Sequence, residues 1–123
     1  MDLKTLSSYL LAKKGVTEET PFGPEALVFK VMGKMFALVA WENDPLTVTL
    51  KCEPGQALFL RDVYAAVRPG YHMNKTHWNT VTLDGTIPEA ELLGMIDDSY
   101  ALVVKSLTRD QRDELARGLV APD

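Results

Sequence analysis

The chain has 123 residues, of which 46% are hydrophobic and 24% charged, a composition that supports one compact core and excludes a disordered chain. Its formal net charge of −4 argues against a protein whose whole surface binds nucleic acid. The single cysteine, Cys52, excludes an internal disulfide framework and a multi-cysteine zinc site.

No apolar run is long enough to span a membrane, and the opening MDLKTLSSYLLAKK lacks the basic start and apolar block of a secretion signal. The expectation is a single domain over residues 1–123, cytoplasmic and monomeric, with no membrane partner. The charge is uneven. Residues 1–27 carry −1, residues 28–78 carry +2 and residues 79–123 carry −5. Solvation of a patchy surface accounts for such an imbalance; a cationic face built by the central strands is the sharper reading.

In chain order, Asp2 to Lys14 reads as a helix, capped by Asp2, ended by Gly15 and buried through Leu3, Leu6 and Leu10. Residues 16–25, with two prolines and a glycine, read as a loop. Strands follow at Leu27–Met32, Met35–Trp41 and Leu46–Lys51, the third alternating Leu46, Val48 and Leu50 against Thr47, Thr49 and Lys51. Placing Gly33 and Lys34 at the centre of the first turn pairs Met32 with Met35 and Lys30 with Ala37. A second loop over 42–46 then sets Ala37 opposite Lys51. In that register Phe29, Phe36, Leu38 and Leu50 share the core face, and Lys30, Ala37, Thr49 and Lys51 form a shallow cationic strip.

Glu53-Pro54-Gly55 opens a second helix running to about Val67, with Leu58, Val63 and Val67 as its buried stripe and Arg68-Pro69-Gly70 as its stop. Residues 71–83 read as a turn and a further strand or hairpin. Pro88 to about Leu107 forms a third helix buried through Leu92, Ile96, Tyr100 and Val103 or Val104. Thr108-Arg109-Asp110-Gln111 is a capping box for a last helix reaching Leu119. Helices at both ends of a run of strands indicate an α+β fold, an antiparallel sheet with helices packed on one face.

One set of residues carries a resemblance. It comprises Pro21-x-Gly23, Phe29-Lys30-Val31-x-Gly33-Lys34-Met35-Phe36-Ala37, Leu50-Lys51-Cys52 and Arg68-Pro69-Gly70-Tyr71-His72-Met73-Asn74-Lys75. It continues with His77-Trp78-Asn79-x-Val81-x-Leu83-Asp84-Gly85 and Ser99-Tyr100. In order and spacing the stretch from Pro21 to Tyr100 resembles the MmcQ/YjbR family of small bacterial proteins. That resemblance implies a CyaY-like α+β fold, related in architecture to frataxin, and a DNA-binding protein with a "double wing" of β-hairpins. It supplies no catalytic residues.

The candidate contacts to DNA follow from residue type. Lys30, Lys34, Lys51, Arg68 and Lys75 would meet successive phosphates if they share one side of the sheet. Asn74 and His77 would touch sugar or base, and Trp78 would stack. Structural roles compete for the same residues: lysines that solvate a sheet face and block edge pairing, a core Trp78, and an Asn74 that forms a turn.

Other chemistries find little support. His72 and His77 would point to opposite faces of one strand, so no metal is expected. The frataxin relationship would place iron at an acidic first helix, where this chain has Asp2 alone as an acid. Cys52 precedes a helix start, which could lower its pKa, but no histidine adjoins it in sequence. Asp97 and Asp98 diverge around a helix, Ser99 has no triad spacing, and no P-loop or dinucleotide fingerprint occurs. The expectation is therefore a non-enzymatic protein without cofactor that binds double-stranded DNA with low sequence specificity. The alternative is a protein- or small-anion-binding module that uses the same face.

Overall fold

In a computed structural model, residues 1–70 and 73–118 are described. The elements in order are α1 (Leu3–Leu11), β1 (Val16–Glu19), β2 (Ala26–Val31), β3 (Lys34–Ala40), β4 (Thr47–Lys51), α2 (Pro54–Val63), β5 (Val67–Pro69), β6 (Trp78–Thr82), α3 (Glu89–Lys105) and α4 (Arg109–Arg117). The strands form one antiparallel sheet in the order β1-β2-β3-β4-β6-β5. The α+β expectation stands, with the helices on one face of the sheet.

That face is built by Phe29, Ala37, Val39, Val48, Leu50, Val67 and Val81, which join Leu6 and Leu10 of α1, Leu92, Ile96 and Val103 of α3, and Leu115 of α4 in one core. α1 is tied across to α3. The Tyr9 hydroxyl and Lys13 Nζ donate to Asp97 Oδ1 at 2.7 and 2.5 Å, and the Tyr100 hydroxyl donates to the Lys14 carbonyl at 2.6 Å. The caps form as the sequence leads one to expect. Asp2 accepts from the Thr5 amide, and Thr108 and Gln111 close a capping box.

Four expectations are corrected. The loop expected at 16–25 begins with a strand, β1, whose Val16, Thr17, Glu18 and Glu19 pair with β2; β-branched Val16 and Thr17 favour extended backbone ahead of the proline-rich stretch. The second helix ends at Val63, and Val67–Pro69 is an edge strand, where proline's missing donor does no harm. Of the stripe expected on that helix, Val67 is buried, though on β5, and the other two members face outward. Ala57 is buried, while Leu58, Phe59 and Val63 are 63%, 58% and 50% exposed.

The fourth correction concerns register. Met32 and Gly33, both at positive φ (49° and 79°), form the turn between β2 and β3, so Val31 pairs with Lys34 and Lys30 with Met35. A two-residue turn of this kind favours glycine in its second place, which moves the turn one residue back from the expected one. A bulge at Phe36 then interrupts the side-chain alternation, pairing Phe29 with Ala37. Across the next loop Ala37 meets Leu50 rather than Lys51. Both Phe36 and Ala37 are thereby fully buried. Ala37 and Leu38 exchange their expected faces.

Candidate nucleic-acid interface

The opposite face of the sheet carries no helix among the described residues. Register places Glu19, Val28, Leu38, Thr49, Thr80 and Arg68 in one row across all six strands, since each is paired with the next. A neighbouring row holds Thr17, Lys30 and Met35, and further along Lys51 opposite Trp78. Val28, Thr49 and Thr80 are buried within this face, and the two threonine hydroxyls hydrogen-bond at 2.9 Å.

Three of the expected cations share this face: Lys30, Lys51 and Arg68, with Trp78 half-buried beside them. Lys51 and Arg68 stand two strands apart, about 10 Å across the sheet and two residues apart along it, with Trp78 on the strand between them. Met35, not Ala37, is the partner of Lys30 here, so the strip is bulkier than a shallow alanine-floored one. Lys30 Nζ lies 3.3 Å from Glu19 Oε1, and Arg68 Nη1 donates to Thr82 Oγ1 at 2.7 Å.

Lys34 is not part of this set. It pairs with Val31 on the helix side, and its Nζ donates to the Ser106 carbonyl at 3.3 Å, at the C-terminal cap of α3. Cations favour that helix end.

The loop between β5 and β6 holds the remaining candidates. Asn74 acts as a turn former: its Oδ1 accepts from the Thr76 amide at 2.9 Å and its carbonyl from the His77 amide at 3.2 Å. Lys75 is exposed, and His77 is half-buried with its carbonyl accepting from the Cys52 amide at 2.7 Å. His72, weighed above as a metal ligand, and Tyr71 lie outside the described residues, as does Leu119 at the expected end of the last helix.

Of the two residues that hold this loop, Arg61 escaped the reading of the sequence, while Asn79 belongs to the His77-Trp78-Asn79 segment quoted above. Arg61 of α2 donates through Nε to Asn79 Oδ1 at 2.7 Å and through Nη2 to the carbonyls of Lys75 and Trp78. Asn79, 2% exposed, donates in turn to the Ala57 carbonyl. An arginine in the last turn of a helix was the available signal, but its partners are 14 to 18 residues away in sequence.

Cys52 is half-buried, and burial pushes its thiol up, with the Asp98 and Glu53 charges adding to the effect. The lowering that a helix start could bring to this thiol is outweighed by burial. Glu53 occupies the cap instead, its carboxylate accepting from the Gly55 and Gln56 amides, which hold its pKa down. No group of three metal-ligating side chains occurs among the described residues. No helix among them is long and apolar enough to cross a membrane.

Known proteins similar to this chain agree on its kind. The YjbR family model matches residues 11–102. YbdF of Escherichia coli O157:H7 is 44% identical over 93 residues, covering 75% of this chain and 76% of that protein. YjbR of Escherichia coli strain K12 is 34% identical over 117 residues, 95% of this chain and 99% of that one. The crystal structure of a Deinococcus radiodurans protein with a DUF419 domain superposes with a TM-score of 0.88 at 40% identity, covering 94% of this chain and 88% of that chain. A Pseudomonas syringae protein structure gives 0.72 at 28% identity, over 83% and 98% of the respective chains.

Proposed function

The chain belongs to the YjbR family, and on that premise we propose that it is a non-enzymatic module that binds double-stranded DNA through the helix-free face of its sheet. The observation that supports this reading is the grouping of Lys51, Trp78 and Arg68 on that face, with Lys30 further along it. Lys51 and Arg68 contact phosphates, Trp78 packs against sugar or base, and Lys75 adds a contact from the exposed loop. No basic helix is offered to a groove, so specificity for sequence is low. A cytoplasmic, monomeric protein fits this role, and a lone thiol stays reduced in that compartment.

The test is fluorescence anisotropy with a labelled random duplex, repeated across salt. The expected slope of log K against log salt is about −3, since three or four phosphates are neutralised. Lys30→Ala with Lys51→Ala should weaken binding and flatten the slope by one to two, about one per cation removed. An absence of binding even at low salt would sink the proposal.

A second reading rests on the Lys30–Glu19 pair. That pair neutralises one cation and leaves two flanking an aromatic ring, a spacing that suits a small anion or an acidic protein segment. Titration with inorganic phosphate and with an acidic peptide, followed by tryptophan fluorescence in a Trp41→Phe background that leaves Trp78 as the reporter, distinguishes it from the first.

A further inference from the structure

The groove between α2 and α3 lies on the other side of the sheet from the proposed DNA face. Phe59 and Val63, one helical turn apart, form its edge and are more than half or half exposed, at 58% and 50%. Leu60 lies deeper, and Glu91, Gly94, Met95 and Asp98 of α3 make the far wall, enclosing about 420 Å³. Burying such an apolar strip on a surface helix would be favourable.

Two observations say what kind of occupant would bury it. First, Gly94 sits in the interior of α3, where glycine is less favourable than alanine. A Cβ placed there would meet no atom within 4 Å, so packing within the chain does not require the glycine. Its effect is to open the groove at mid-length to a side chain from outside. Second, Glu91 and Asp98 bracket that opening, three residues before and four after it, on the same side of the helix. Among the described residues no cation lines the groove, and the guanidinium of Arg61 is turned away to Asn79, Lys75 and Trp78.

We infer that this groove receives an amphipathic, basic helix from a partner protein. Its apolar stripe lies along Phe59, Val63 and Met95, its small or medium side chain enters at Gly94, and its lysines or arginines meet Glu91 and Asp98. A second copy of this chain is a poor occupant, since the acidic rims would oppose one another. The inference is independent of the DNA reading, because the two surfaces share no residue.

The probe is a fluorescein-labelled amphipathic peptide of leucines and lysines, with a leucine–glutamate peptide as control, titrated against the isotope-labelled protein. The expected result is binding of the lysine peptide, with amide shifts concentrated in residues 56–64 and 91–98. Phe59→Ala, Gly94→Gln, and Glu91→Lys with Asp98→Lys should each weaken it by about tenfold or more. These positions are open to solvent or space, so thermal melts should show the variants folded. Equal binding by the glutamate peptide, shifts centred elsewhere, or affinity unchanged in Phe59→Ala would overturn the inference. So would a dimer of this chain that Phe59→Ala dissolves, which would make the groove a self-interface. Duplex binding by Phe59→Ala is expected to match the unaltered protein, which separates failure here from failure of the DNA reading.

Discussion

The Ser99 hydroxyl lies between β3 and β4, donating to the Phe36 carbonyl at 2.6 Å and accepting from the Lys51 amide at 2.9 Å. The bulge at Phe36 ends the regular ladder between these strands at the Ala37–Leu50 pair. One side chain from α3, itself fully buried, therefore satisfies the two backbone groups left beyond it. The same contact pins α3 to the middle of the sheet and fixes the backbone of Lys51, whose side chain belongs to the proposed DNA face.

Ser99→Ala removes both bonds and leaves a buried carbonyl and a partly buried amide without their partner. The expected loss is about 2 kcal/mol in urea denaturation, with little change in slope against denaturant. A loss within about 0.5 kcal/mol would mean that the strands close on each other and that the serine only fills space.

Arg61 positions the β5–β6 loop without facing the ligand side. Arg61→Ala should cost about 1–3 kcal/mol, because the buried Asn79 carboxamide loses its donor. It should also speed amide exchange at residues 73–78 and weaken duplex binding. Restoring the charge with Arg61→Lys should not restore the loop, since an ammonium cannot reproduce the fork that spans Asn79, Lys75 and Trp78. Hydrogen exchange on both variants checks the point.

The parts legible in the sequence are those set by local rules. Asp2, Thr108 and Gln111 cap their helices because short-range bonds decide the matter, and Leu92, Ile96 and Val103 are buried at helical spacing. What could not be read depended on distant partners. Thr17 and Glu19 became strand because Lys30 and Val28 offered an edge. The exchange of faces between Ala37 and Leu38 followed from a bulge that no residue pattern announces. Leu58 and Val63 matched a buried stripe by type, yet α2 turns Ala57 to the core and leaves them outward with Phe59. Of the candidate site, Lys30 and Lys51 share one face as the strand alternation leads one to expect; Arg68 joins them only because β5 replaces the expected end of the second helix, and Lys34 falls to the other face through the shifted turn.

Stability should depend on pH through the contact between α1 and α3. Burial raises the Asp97 carboxyl, but the bonds from Lys13 and Tyr9 and the Lys13 charge outweigh it, leaving it below its ordinary 3.8. The folded state thus binds fewer protons there than the unfolded one. The contribution is in place above about pH 4 and fades as pH falls through the lowered value. The bond to Asp97, with burial and the Asp97 charge, raises Tyr9 above its ordinary 10.0. That contribution holds below pH 10 and is lost as pH rises through the raised value. With Asp97 side-chain exposure at 49%, the pair contributes less than about 1 kcal/mol after solvent screening. Asp97→Asn should remove part of both limbs of a plot of melting temperature against pH, and an unchanged plot would place the pH dependence elsewhere.

Lys34 and Lys51 provide a matched comparison, because both are lysines on adjacent strands and the sheet separates them. Lys51→Ala should flatten the salt dependence of duplex binding by about one unit of slope, through the loss of one phosphate contact. Lys34→Ala should leave that slope unchanged and instead lower stability by up to about 1 kcal/mol, because its ammonium serves the Ser106 carbonyl at the end of α3. Equal effects of the two substitutions on binding would mean that DNA responds to net charge rather than to the helix-free face. The grouping of Lys51, Trp78 and Arg68 would then lose its functional meaning. Anisotropy at several salt concentrations, paired with urea denaturation of the same two variants, decides between these outcomes.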